Sequence, residues 1–392
     1  MKSLFVLLLF QVFSQAAQAS NDSSNSHLRI SLLTVGVGDE IYASFGHTGI
    51  RITDSLAHTD IVYNWGTFDG FQEGFEMKFM RGKLLYYASS ETWPHFYQTY
   101  VQEKRGVEEQ VLMLNPAQKQ QILDYITNNM KEENKYYKYD FLYDNCATRL
   151  RDIFPNTFGP GFHFGTAIPT SKTRTFRDEI DYYLRYLPWE RTGIDMLLGS
   201  QIDKTMSNED AMFLPDYLRN GVAGAQVNGK AISSPPLRVL PQDPIPAIPK
   251  NIPALVFLLF SALVILGSII PGLGLIGLIT KNILFIVTGL LGFLILFMWI
   301  GTDHQACRYN WNVLWALPTN IILPFIKRRK QSRYALLGIF MILVVLALHM
   351  FHVQAFPLVE IWPLLLALVF SYGMIYTSLR QPSMTHESAA KN

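Results

Sequence analysis

Four stretches in the last third of the chain, Ile252 to Ile270, Asn282 to Ile300, Tyr334 to Phe351 and Phe356 to Thr377, run almost without a charged residue. Each approaches the roughly 20 residues an α-helix needs to cross a bilayer core. Hydrocarbon offers backbone N–H and C=O groups no partner, so these segments are expected as transmembrane helices. A fifth stretch, Trp311 to Ile326 ("WNVLWALPTNIILPFI"), is shorter and broken by Pro318 and Pro324. Charge decides how to treat it. If the first span enters from outside, "GTDHQACRYN" (301–310) is external, and the basic run "KRRKQSR" (327–333) is cytoplasmic only if residues 311–326 also cross. Five spans are therefore expected, near 252–270, 282–300, 311–326, 334–351 and 356–377 of a membrane domain over 252–380, with a cytoplasmic tail over 381–392. On this topology Asp303, His304, Arg308, Asn310, Asn312, His349 and His352 lie on the outer face, either in a shared site or as solvated loop residues.

The rest of the chain is of another kind. Residues 1–19 carry one lysine, the run "LFVLLLF" and then Ala17-Gln18-Ala19, the pattern of a secretory signal peptide. Residues 20–234 are mixed in composition and rich in Tyr and Phe, as expected of a globular exported domain. Prolines at 235, 236, 241, 244, 246 and 249 then exclude helix and sheet interiors, so 235–251 is expected as a semi-rigid linker. A net charge of +2, with acids and bases intermixed, forms no basic stripe, and no nucleic-acid partner is expected. The two cysteines, Cys146 and Cys307, build neither a disulfide framework nor a cysteine-rich zinc site; no metal and no cofactor are expected.

In "YDFLYDNCATRLRDIF" (139–154), Ala147, Leu150 and Phe154 recur at helical spacing, with Asp144 or Asn145 as the natural N-cap. Cys146 then opens a helix, where the dipole favours an anion and lowers a thiol pKa. A buried small side chain is the competing reading. From His47 the chain alternates with period two, placing His47, Gly49 and Arg51 on one face and Ile50 and Ile52 on the other. Gly49 clears space beside His47. A His on the open face of a strand and a Cys opening a helix form the layout of papain-like enzymes, here in reversed order and so circularly permuted.

The blocks "FGHTGIRI", "VYNWGTFD", "FMRGKLLYYAS", "EKRGVEEQVLML" and "YKYDFLYDNCATRLRD", with "YNWNVLWALPTNII" in the membrane half, resemble the Lnb-type lipoprotein N-acyltransferases. That family is a branch of the permuted papain-like, NlpC-related superfamily. The resemblance implies an α+β exported domain followed by an all-α transmembrane bundle of about five helices. It also implies a periplasmic domain anchored in the inner membrane, with Cys146 as nucleophile and His47 as base. Asn64 or Asp144 is the candidate for orienting His47, and the Cys146 backbone N–H the candidate oxyanion donor. Arg81, Lys83, Arg149 and Arg151 are candidates for a phosphate head group, and His304, Asn310 and Asn312 for further substrate contacts. The partners implied are a phospholipid acyl donor and a lipoprotein acceptor. Two alternatives stay open: a membrane-anchored cysteine peptidase or amidase acting on cell-wall peptides, and a non-enzymatic scaffold whose cysteines are buried or bridged.

Overall fold

The structure, a computed structural model, describes residues 26–168, 173–244, 247–326 and 331–377. The signal-peptide stretch, the basic residues 327–330 and the tail lie outside the described residues. The chain divides into two compact units: one holds the chain up to Arg174 and again Met206–Ile245, the other Thr175–Thr205 and everything from Pro246 on.

The first unit is built on a seven-stranded antiparallel sheet. In chain order its elements are β1 (Leu28–Val35), β2 (His47–Asp54), β3 (Thr59–Thr67), helix α1 (Phe75–Met80), β4 (Leu85–Thr92), α2 (Trp93–Gln102), β5 (Val107–Val111), α3 (Pro116–Asn129), β6 (Tyr136–Lys138) and α4 (Cys146–Phe158). Strands β7 (Phe162–His163), β8 (Gln226–Val227) and β9 (Lys230–Ala231) form a small separate sheet. β10 (Leu237–Leu240) returns to the main one, whose order is β10-β5-β1-β2-β3-β4-β6. β1 is apolar on both faces because both are covered. Leu28, Ile30 and Leu32 join the core with Ile122 and Ile126 of α3 and with Leu150, Ile153 and Phe154 of α4. Leu33 and Val35 pack with Phe96 of α2. Each large apolar side chain sealed this way stabilises the unit by about 2 kcal/mol.

β10 departs from the expected linker. Leu237 pairs with Glu109 of β5, and the Gln242 side chain accepts a hydrogen bond from Gly106 N at 2.8 Å. Extended, Pro-flanked chain suits an edge strand, where one side needs no ladder partner.

In the second unit, four helices are long and apolar enough to cross a membrane: Ile252–Ile269, Gly274–Ile300, Gln331–Met350 and Leu358–Thr377. The expected fifth helix is corrected. Residues 311–326 form two short 3₁₀ segments, Trp311–Leu314 and Pro318–Phe325, because Pro318 and Pro324 remove backbone donors that an α-helix needs. The second of these lies against Gly274–Ile300 at glycine positions: a Cβ on Gly289 would stand 2.5 Å from Ile321 N, and one on Gly292 1.9 Å from Ala316 O. Buried Asn320 meets Thr288 Oγ1 at 3.2 Å and accepts from the hydroxyls of Tyr334 and Tyr372 at 2.9 and 2.6 Å.

Thr175–Thr205 packs within this second unit. Buried Arg177 bonds Asp195 at 2.9 Å and Asp203 at 2.8 Å. Arg191 donates to Glu360 Oε1 at 2.5 Å, and Asn251 Nδ2 donates to the same oxygen at 2.7 Å. Asn251 caps the first membrane helix, and Glu360 sits in the first turn of the fourth, where a negative charge suits the helix dipole.

Candidate active site

Cys146 owes its position to Asn145. The Asn145 side chain accepts from Ala147 N and Thr148 N at 2.8 and 2.9 Å, while Thr148 Oγ1 accepts from Asn145 N at 2.8 Å. This reciprocal cap starts α4 at the cysteine. Asn145 Nδ2 also donates to Phe141 O and Phe213 O, at 2.7 and 2.9 Å. Every polar atom of the buried cap is thus used, and Cys146 is left half-buried at the first turn.

His47 is the first residue of β2, opposite Val35. It follows Gly46 at φ +77°, where a side chain would press on the Val35 carbonyl at 2.7 Å. Asn64 lies on β3 opposite Gly49. A Cβ at Gly49 would stand 3.0 Å from Asn64 Oδ1, so the room that glycine clears is used by Asn64. After Asn64 the β3–β4 register shifts, and Gly66, at φ +91°, brings the strand end beside the thiol; a Cβ there would be 3.9 Å from Cys146 Cβ. Bulges often re-aim chain in this way beside reactive groups.

His47 Nε2 and Asn64 Oδ1 are 3.0 Å apart. Asn64 Nδ2 donates to Glu91 Oε1 at 2.9 Å, and the other Glu91 oxygen lies 2.5 Å from His95 Nδ1. A carboxylate only accepts, so Asn64 must turn its NH₂ to Glu91 and its carbonyl to His47. Nε2 of His47 therefore carries the proton, and Nδ1 is the ring's acceptor.

Burial is the largest influence on both reactive groups. It pushes His47 down to about 4, against the hydrogen bond to Asn64, which favours the charged ring; Arg105 assists the fall and Glu103 opposes it. It pushes the Cys146 thiol up to about 11, although the backbone N–H groups of Thr48, Ala147 and Cys146 and the charge of Arg105 favour the thiolate. The lowered thiol expected from the helix start is thus reversed: three N–H dipoles do not repay the lost hydration. At neutral pH the resting pair is thiol and neutral imidazole. Thr48 directly follows His47, so its N–H ties the thiol to the start of β2.

The other expected residues are placed as follows. Asp144 is spent on Arg149, with contacts of 2.5 and 2.8 Å, and the Arg149 guanidinium lies 3.7 Å from the Tyr137 ring centre. Arg151 pairs with Asp152 at 2.7 Å and donates to Glu209 O. Arg81 and Lys83 are exposed between α1 and β4. His304, Asn310 and Asn312 lie in the second unit. There Asn310 and Asn312 are fully buried and bond Met196 O, each other and Trp315 Nε1. Glu91 and Arg105 carry no local signal of a role at the site, and His95, whose aromatic neighbours in "ETWPHF" suggest a packing residue, instead meets Glu91. Alternation along "LYYASSET" puts Glu91 on one strand face with Ser89, but only the β3–β4 register brings it to Asn64. Among the described residues, no group of three or more His, Cys, Asp or Glu is placed to hold a metal ion.

The fold and site define an α+β thiol domain carried by a helical membrane domain. Two family profiles match the chain, the Lnb N-terminal periplasmic domain over residues 14–179 and the Lnb transmembrane domain over residues 247–382. The chain belongs to the Lnb family, with its N-terminal domain in the periplasm and its helical domain in the inner membrane. Neither the search of curated proteins nor that of solved structures finds a match.

Proposed function

We propose that this protein is a membrane-bound acyltransferase that moves an acyl chain from a phospholipid, through a thioester on Cys146, to the N-terminal amine of a diacylglyceryl-cysteine lipoprotein. The observation that carries the reading is the half-buried thiol at a capped helix start, held against Thr48 N–H next to a His47 whose tautomer is fixed through Asn64 and Glu91. As Cys146 Sγ attacks the ester carbonyl, its proton passes to His47 Nδ1; the C–O bond to glycerol breaks, and the departing alkoxide takes that proton and leaves as lysophospholipid. The lipoprotein amine then attacks the thioester, the C–S bond breaks, the nitrogen loses a proton through His47, and the thiol is restored. Backbone N–H groups at the start of α4 are suited to the oxyanion of both steps. Because thiol and imidazole rest neutral, proton transfer accompanies attack, as in a serine hydrolase.

The test is to isolate the protein from membranes and look for a hydroxylamine-sensitive fatty acyl mass on the Cys146 peptide. Its presence in the wild type and loss in Cys146→Ala is the expected result. A Cys146→Ala protein that still acylates lipoprotein amines overturns the reading, and release of cell-wall peptides without lysophospholipid replaces it with a peptidase.

A further inference from the structure

The stretch from Phe68 to Leu85 carries an unusual amount of exposed apolar surface. Phe68, Phe71, Met77, Phe79, Met80 and Leu85 are all exposed, Phe71 completely so. Water-facing surfaces rarely gather large apolar side chains this densely unless something apolar covers them. The rings are ordered. Phe79 stacks on Phe75 with centroids 6.0 Å apart, Phe75 on Phe68 at 5.8 Å, Phe68 meets Tyr86 at 5.3 Å, and Tyr86 stacks on Tyr139 at 4.4 Å. Tyr139 and Cys146 then flank Gly66: a Cβ there would lie 3.8 Å from the Tyr139 ring and 3.9 Å from Cys146 Cβ. Any side chain at Gly66 would stand between the last ring and the cysteine. The aromatic path therefore runs unbroken from the exposed end of α1 to Cys146.

We infer that this path is a track for one acyl chain of a membrane phospholipid, with Phe68–Leu85 as the segment that meets the lipid. The inference rests on the acyl-transfer reading and names the element that receives the donor. Three observations select a lipid chain over a protein partner. The path ends at a thiol, and a protein surface would have no need to reach it. The rings follow one another singly, three contacts stacked and one tilted, so the apolar surface they offer is a narrow file suited to one hydrocarbon chain. Arg81 and Lys83, both exposed at the end of α1, offer cations where a phosphate would stand at the mouth of the file. The same chain spans a membrane, so phospholipid is its surrounding solvent.

The experiment uses the full chain in nanodiscs containing a phospholipid with a diazirine in its acyl chain. Irradiation and peptide mapping are expected to place cross-links on residues 68–86, and their absence there overturns the inference. In parallel, a Phe71→Ser, Phe79→Ser double variant is expected to form acyl-Cys146 from phospholipid about tenfold more slowly, by loss of apolar contact. Its reaction with water-soluble p-nitrophenyl acetate should be unchanged. Equal rates with phospholipid for variant and wild type also overturn the inference. Loss with both substrates passes the decision to the cross-links, which are read on unaltered protein. If the wild type takes no acyl group from any lipid, the transfer reaction fails, while the cross-links still report whether this segment holds lipid.

Discussion

Glu91 accepts a hydrogen bond from Asn64 and so turns the Asn64 carbonyl toward His47. Glu91 does not touch the reacting atoms, so it is a positioning residue. Its removal lets the Asn64 amide rotate and present NH₂ to His47, which favours the wrong tautomer. Glu91→Ala is expected to slow thioester formation about tenfold, in line with losing a hydrogen bond to a charged group, with little change in KM. Glu91→Gln, whose carbonyl still accepts from Asn64, should recover most of the rate; equal losses in both would mean that Glu91 acts through packing alone. The acid side of the profile belongs to His47. With its folded value near 4 rather than 6.5, the base stays available down to about pH 4, so the rate should fall there and not at pH 6.5. For stability the sign follows from proton count: between the two values the unfolded chain binds more protons than the folded one, so this site's contribution is whole above pH 6.5 and lost as pH falls to about 4. The thiol adds an alkaline signature. Iodoacetamide should alkylate Cys146 slowly at pH 7 and faster toward about 11, and a flat fast rate from pH 5 to 8 would instead reveal a preformed ion pair. A reader of the sequence can see the cap in "DNCATRLRD" and the alternation at "HTGIR". Burial comes from the whole fold, and that is why the direction of the thiol shift could not be read in advance.

At the scale of elements, the same limit explains residues 311–326. Hydrophobicity marks a segment as suited to lipid but does not choose between helix types, and the two prolines decide against the α-helix. A 3₁₀ segment rises about 2 Å per residue, so the two in this stretch, Trp311–Leu314 and Pro318–Phe325, together supply about 24 Å, short of a bilayer core of about 30 Å. Its irregular backbone needs protein around it rather than lipid, which the glycines of Gly274–Ile300 supply. Gly292→Ala would push a methyl into the Ala316 carbonyl and is expected to cost about 2 kcal/mol, read as a lowered Tm in detergent. The strands offer a counterpart. That Leu237–Leu240 is extended follows from the prolines around it, but that it completes a sheet depends on β5, more than 100 residues earlier, and no local pattern announces it.

Across the whole molecule, Thr175–Thr205 is an excursion from the sequence of one unit into the body of the other. Its ends meet: Thr175 and Thr205 form a β-bridge, and Met206 N donates to Arg174 O at 2.9 Å. The periplasmic unit should therefore fold as a chain from residue 26 to 244 in which a short glycine linker replaces 175–205, and circular dichroism with a cooperative melt checks this. The uncut 26–244 chain is expected to aggregate. Arg191 of the excursion finds its carboxylate at Glu360, and Asn251 binds the same oxygen. The order of synthesis gives that contact a meaning of its own. The guanidinium leaves the ribosome roughly 170 residues ahead of its counter-ion. A chain that ends before Glu360 lacks the carboxylate to which Arg191 and Asn251 both donate, and it is expected to melt at a lower temperature in detergent than the full chain.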